Sequence, residues 1–312
     1  MAYVRWHAGS PPSARLHRPV LLAAFEGWND AGESATTAVR FLARSLDAER
    51  IASIDAEDFY DFTVARPQVR LGPGPSGPRS GDDGMQRTIE WPEPVVDVAL
   101  LPNGRHLVLM TGIEPALRWR TFTAEVVGLA SSLGVEMAMT LGALLADVPH
   151  TRPVRVTGTA TDPALVAELG FTRSRYEGPT GILSILLAGC ADAGMRAASL
   201  WATTPHYLRE TQSPKAALAL VERVGRMLDF SVDVTELEIA TAAYERQVDD
   251  MLAGEDDVAD YVRRLEEDGV EGDDGGVAWS GEDETVDFEI PSQEELASEV
   301  ERFLREQPGG GS

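Results

Sequence analysis

The sequence predicts an α/β protein built on a mostly parallel sheet with helices on both faces. Three observations lead there. Residues 21–25 (LLAAF), 106–110 (HLVLM) and 135–141 are apolar with little or no alternation, so each reads as a strand covered on both sides. Segments of helical period lie between the strands, such as Ala35, Ala38, Val39, Leu42 and Leu46, or Trp119, Phe122, Val126, Leu129 and Leu133. A hydrophobic content of 43% over 312 residues supports one large core with a smaller appendage.

Residues 1–18 carry Pro11-Pro12 and scattered Arg and His, and read as a partly ordered arm. Strand 21–25 runs into Glu26-Gly27-Trp28-Asn29-Asp30-Ala31-Gly32-Glu33, a turn that opens a helix. Asp30 is expected to cap that helix, with Glu33 reaching back. Residues 51–55 form a second strand and complete a β-α-β unit. Asp55, Glu57, Asp58 and Asp61 cluster around Phe59, Tyr60 and Phe62. Their spacing fits no EF-hand loop and includes no His, so solvated charge is expected there rather than a metal.

Residues 70–86 are rich in Gly and Pro, and Gly72-Pro73-Gly74-Pro75-Ser76-Gly77 formally matches a dinucleotide loop. Pro73, Pro75 and Pro78 forbid the helix that such a loop must open, so a mobile surface loop is expected instead. Residues 85–91 read as an edge strand, and 95–101 and 106–110 as strands joined by Pro102-Asn103-Gly104. Thr111-Gly112-Ile113-Glu114-Pro115 then opens the helix of Trp119, which Gly134 ends. Arg118 and Arg120 fall in its first turn, where cations are disfavoured. Either they pair with Glu114 or solvent, or Arg118 waits for an anionic ligand.

Residues 154–158 form a further strand, and Asp162-Pro163 caps a short helix to Gly170. An apolar helix runs through Cys190, residues 195–203 form the last strand, and Ser213-Pro214 opens a helix to Phe230. Past residue 230 the pattern becomes helical. Thr235 and Glu238 match a capping box before a stripe of Leu237, Ala240, Tyr244, Val248 and Met251. After Gly254, Val258, Tyr261, Val262 and Leu265 make a second stripe, so a helical hairpin is expected. Residues 271–288 are acidic and Gly-rich, and Ser292 and Glu295 cap a helix carrying Leu296, Val300, Phe303 and Leu304. Two regions follow from this: an α/β core over 1–230, and an acidic helical region over 231–312, with a flexible linker at about 271–290, that is separable from the core.

The formal charge of −24 sits almost wholly in the second region. Residues 1–230 hold 22 Lys and Arg against 25 Asp and Glu, whereas 231–312 hold 5 against 26. That surface repels phosphate backbones and anionic lipid, which speaks against a nucleic-acid or membrane partner. One cysteine, Cys190, lies in an apolar stretch and reads as a buried inert thiol of a cytosolic protein. No Gly-x-Ser-x-Gly elbow, Walker loop, His-Glu-x-x-His or Cys-x-x-Cys pair is present. No catalytic residue, metal or cofactor is therefore assigned. Of the five histidines only His206, in Pro205-His206-Tyr207, is expected near a strand-end site, in a structural or hydrogen-bonding role.

The segments AFEGWNDAGESATTAV, EDFYDFTVARPQV, TGIEPALRW, LGALLADVPHTRPV, SRYEGPTGI and SLWATTPHY occur in order over residues 19–210. Together they resemble the bacterial branch of the proteasome assembly chaperone 2 family. The resemblance implies a three-layer α/β/α fold similar to the purine nucleoside phosphorylase class, with a C-terminal helical addition. It also implies a protein-binding or assembly-factor role and a homo-oligomer, for instance a trimer. Members that dock on proteasome rings end in a hydrophobic residue, Tyr and one more residue. This chain ends Pro308-Gly309-Gly310-Gly311-Ser312, so docking by that route is not expected.

The alternative is an enzyme or sensor that binds a small anionic metabolite where strands end and helices begin. Its candidate residues are Gly27, Trp28, Asn29, Asp30, Glu114, Arg118, Trp119 and Glu177: free helix amides, two flat aromatic walls and one fixed cation.

Overall fold

A computed structural model describes residues 2–7, 15–73, 85–160, 162–171, 177–252 and 256–268. Met1–Asp274 form one compact unit. The expectations for residues 74–84 and 269–312 lie outside the described residues.

Eight strands make the main sheet in the order β1 (Val4–Trp6), β3 (Glu49–Ile54), β6 (Val95–Leu100), β7 (His106–Ile113), β2 (Val20–Glu26), β8 (Met137–Ala146), β10 (Arg196–Pro205) and β9 (Val156–Ala160). The four central strands β7, β2, β8 and β10 are parallel to one another. The outer strands β1, β3, β6 and β9 each run antiparallel to their inner neighbour.

β2 shows why the apolar runs end up interior. Val20, Leu22 and Ala24 enter one core, and Leu21, Ala23 and Phe25 the other, because successive side chains point to opposite faces. Helices α1 (Ser34–Ser45) and α5 (Pro214–Leu228) cover the first face, with α3 (Pro163–Leu169) and α6 (Thr235–Leu252) beside them. Helices α2 (Trp119–Ser132) and α4 (Ile182–Asp192) cover the second. There Phe122 meets Phe25 and Phe59 edge-on, with ring centroids 5.7 and 5.3 Å apart. Truncating such a ring to Ala removes about 3–5 kcal/mol.

Several expectations change. The arm is not wholly irregular, since Val4–Trp6 pairs with β3, and Ala2 N and Tyr3 N donate to the Glu125 carboxylate on α2. The β2–α1–β3 unit is real in direction, but β7 and β6 lie between its strands, so β3 joins the sheet antiparallel to β6. Residues 68–73 are not loop. β4 (Gln68–Pro73) and β5 (Met85–Glu90) form a separate two-stranded hairpin outside the main sheet. The start of α6 is held by Asp233, whose carboxylate accepts from Thr235 N at 3.0 Å and Thr235 Oγ1 at 2.7 Å, in place of the Thr235–Glu238 box. Asp162 and Ser213 cap α3 and α5 as their sequences predict, accepting from Ala164 N and Ala216 N. A last helix, α7 (Asp256–Asp268), follows α6. Val262 on it is buried; the Val258 side chain lies outside the described residues.

Candidate functional site

The carboxyl ends of β2 and β7 meet the start of α4. β2 leaves the sheet through Gly27, whose φ of 124° suits glycine. A Cβ there would lie 3.4 Å from Glu114 Cβ. The next residues fold back along the sheet, with Asp30 N donating to Gly27 O at 3.0 Å and Ala143 N on β8 donating to Asn29 O at 2.9 Å. Glu114, one residue past β7, is tied to β2 by its own N–H, which donates to Glu26 O at 2.8 Å.

The Glu114 carboxylate is the hub of this junction. Its Oε1 accepts from Asn29 Nδ2 at 2.6 Å and from Ile182 N, in the first turn of α4, at 2.8 Å. A carboxylate at a helix N-terminus meets both free amides and the positive end of the dipole. Packing is at its limit: a Cβ at Gly181 would fall 2.2 Å from Asn29 Oδ1. Beside the junction, Tyr60 Oη donates to Ile113 O at 2.7 Å and accepts from Ile113 N at 3.0 Å. Burial raises its phenol above the ordinary value.

Asp30 is turned inward. Its carboxylate accepts from Ala35 N at 2.6 Å and from Thr36 N at 3.1 Å and Oγ1 at 2.5 Å, bridging the 3-10 turn over Ala31–Glu33 to the first turn of α1. Asp30 thus serves the helix start, but from further back than a capping box. Glu33 stands in a left-handed conformation and accepts from Gln212 Nε2 at 2.6 Å instead of reaching back. Burial pushes the Asp30 carboxyl above its ordinary value, and the bonds from Thr36 and Ala35 partly offset this.

Of the sequence-proposed residues, Gly27, Asn29 and Glu114 are brought together; Asp30 adjoins them but serves α1, on one face of the sheet. Arg118 and Trp119 begin α2, on the other face. Arg118 Nη1 is 2.6 Å from Asp58 Oδ2 and 3.1 Å from Tyr3 Oη, and Trp119 Nε1 donates to Pro115 O. Glu114 is therefore not the partner of Arg118. Trp28 is 61% exposed, and Glu177 is also exposed, ahead of α4.

A second polar knot lies near the ends of β8 and β10. His150, buried in the segment after β8, takes the Tyr207 hydroxyl at 2.8 Å on Nδ1 and Asp249 Oδ1 at 3.1 Å on Nε2. Lys215 Nζ donates to His150 O at 2.6 Å and pairs with Glu245 at 2.6 Å. His206 adjoins it, with Nδ1 2.9 Å from Asp147 Oδ1. Tyr261 on α7 donates to the same Asp147 oxygen at 3.0 Å. The knot fastens α6 and α7 to the strand-end segments. In the sequence, Pro205-His206-Tyr207 marks its edge, as expected of a strand-end histidine, whereas His150, between Pro149 and Pro153, lies there against the expectation that only His206 would.

Of the acidic residues 55–61, Asp55 pairs with Arg5, Asp58 with Tyr3 and Arg118, and Asp61 with Thr63. Among the described residues, no group of three or more His, Cys, Asp or Glu is placed to hold a metal, and no helix is long and apolar enough to cross a membrane.

Fold and junction together define a three-layer α/β scaffold whose strand ends are closed by its own side chains. The chain belongs to the PAC2 family, whose sequence profile matches residues 24–252. A PAC2 family protein from Streptomyces avermitilis is 44% identical, with 78% of this chain and 99% of that chain covered and a TM-score of 0.69. A proteasome-assembly chaperone homologue from Mycobacterium tuberculosis is 42% identical over the same shares, with a TM-score of 0.68. An archaeal proteasome activator from Pyrococcus furiosus shares the fold at 18% identity, covering 80% and 99% of the two chains, with a TM-score of 0.62. No curated protein matches the chain.

Proposed function

We propose that this protein is an assembly factor that binds other protein chains, with proteasome subunits as its partners, and that it works in the cytoplasm as a homo-oligomer. The observation that carries the reading is the β4–β5 hairpin. Its register sets Val69 opposite Ile89 and Leu71 opposite Arg87 on one face, and Gln68 and Arg70 opposite Glu90 and Thr88 on the other. Val69, Leu71 and Ile89 are each more than 60% exposed, and Trp91 follows at 54%. An isolated two-stranded hairpin is marginal in water, and one with an apolar open face gains stability when another surface covers it. Likeness to the mycobacterial chaperone homologue supports the choice of partner. The single cysteine, free and buried, suits a reducing compartment.

The metabolite-binding alternative draws no support from the junction, because Glu114 already holds the anion position at the start of α4. The test is a Val69→Asp/Ile89→Asp variant, which touches no core residue. Wild type should sediment as an oligomer and co-elute with purified proteasome α-subunits from the same organism, and the variant should lose one or both behaviours at unchanged Tm. A wild type that is monomeric and leaves those subunits unbound would overturn the proposal.

A further inference from the structure

A cavity at the opposite, amino-terminal end of the central strands has no part in the reading above. Arg18 precedes β2, Arg105 precedes β7, Glu136 precedes β8 and Arg196 begins β10. The C-terminal turns of α3, with Glu168, and of α5 close it. Its volume is about 110 Å³, against the roughly 10–15 Å³ that one water needs by this measure. It has room for a group of a few heavy atoms.

The charges around it do not balance. Arg196 pairs with Glu168, and Arg18 Nε lies 3.9 Å from Glu136 Oε2. Arg105 has no carboxylate partner among the described residues. Its Nε donates to Arg18 O at 3.3 Å, which aims the guanidinium and leaves both terminal nitrogens unpaired with acid. Burial, then the charge of Arg18, pushes Arg105 below its ordinary value, and the charge of Glu136 offsets this only in part. Three guanidinium groups against two carboxylates leave one positive charge facing a small hollow.

Helix ends could explain such arginines, since cations favour C-termini. The α5 end, however, is already served by Asn103 Nδ2, which donates to Leu228 O at 2.7 Å and Asp229 O at 2.9 Å. The α3 end is closed by Gly170 N donating to Val166 O. We propose that this cavity binds a carboxylate monoanion, gripped in the two-pronged manner by Arg105 with Arg18 and Arg196 at the rim. A dianion such as phosphate fits less well, because Glu136 and Glu168 stand in the same wall.

Titration calorimetry of the full chain tests this with acetate, propionate, inorganic phosphate and a blocked Gly-Glu-Gly peptide. Saturable binding of acetate or propionate ahead of phosphate is expected. It should weaken by about tenfold or more in Arg105→Gln. In Glu168→Gln, which leaves Arg105 intact and frees Arg196, it should tighten by a few fold. Peptide binding as tight as that of the free acids would place the carboxylate on a protein side chain; weaker peptide binding would assign the site to a free acid. No saturable carboxylate binding, phosphate as the tightest probe, or affinities unchanged in both variants would overturn the proposal.

Discussion

Removing the Glu114 carboxylate should loosen the whole strand-end junction. The group serves Asn29 Nδ2 at 2.6 Å and Ile182 N at 2.8 Å. A hydrogen bond to a charged group contributes about 1.5–3 kcal/mol. Glu114 is only half-buried, so water recovers part of the loss in Glu114→Ala, and about 2–4 kcal/mol is the expected cost for both bonds together. For a domain of this size each kcal/mol lowers Tm by about 2–4 °C, which predicts a fall of about 4–16 °C. Glu114→Gln keeps the shape and one neutral acceptor and should fall by about half as much. Thermal unfolding followed by circular dichroism at neutral pH reads both. A Glu114→Ala shift below about 2 °C would refute the account, since it would mean that the two donors find equal partners without the carboxylate.

Gly181→Ala puts a Cβ 2.2 Å from Asn29 Oδ1 and should cost about 1–3 kcal/mol by overpacking. In an Asn29→Ala background most of that cost should vanish, and additive unfolding energies would count against the contact. Asp30 has a folded pKa above its unfolded value. Its neutral form is thus favoured by folding, and its contribution is fully present below the ordinary carboxylate range and lost as pH rises through the folded pKa. Urea unfolding over that window should show wild type losing stability relative to Asp30→Asn as pH rises; a flat or opposite difference would contradict this. Burial pushes the Cys190 thiol up to about 11, so at pH 8 it should react with a thiol reagent only as fast as the chain unfolds. For the proposed division at residue 230, Leu237, Tyr244 and Val248 on α6 are buried. Ending the chain at 230 should therefore lower Tm, whereas ending it after Asp268 should change Tm little. Equal Tm values for the two truncations would show that α6 adds nothing to the core.

The interior strands could be read from the chain because an unbroken apolar run has few other places to go. Local caps such as Asp162 and Ser213 could be read because their donors lie two or three residues away. Sheet order could not. The position of β3 beside β6 depends on which edges remain free after β7 and β8 flank β2, and no single segment carries that information. Val4–Trp6 is too short to announce a strand and gains its place only from β3. At the junction, Gly27, Asn29 and Glu114 were visible as turn residues. The partners that close it, Gly181 and Ile182, are some 150 residues from Asn29, and the partners of Arg118 are hidden in the same way, Asp58 lying 60 residues from it and Tyr3 115.

The order of the sheet also matters while the chain is being made. β2 is the first interior strand to be synthesised, yet it pairs only with β7 and β8, Val20 matching Leu107 on one side and Met137 on the other. At about 5–20 residues per second, roughly 6 to 22 s separate the synthesis of Phe25 from that of Met137. The uncharged apolar run from Val20 to Phe25 has neither partner strand until β7 has been made, and only one until β8 follows. Such a segment invites pairing with other nascent chains until β8 is complete. The strand at the centre of the finished sheet is therefore also the most vulnerable part of the chain during its own synthesis.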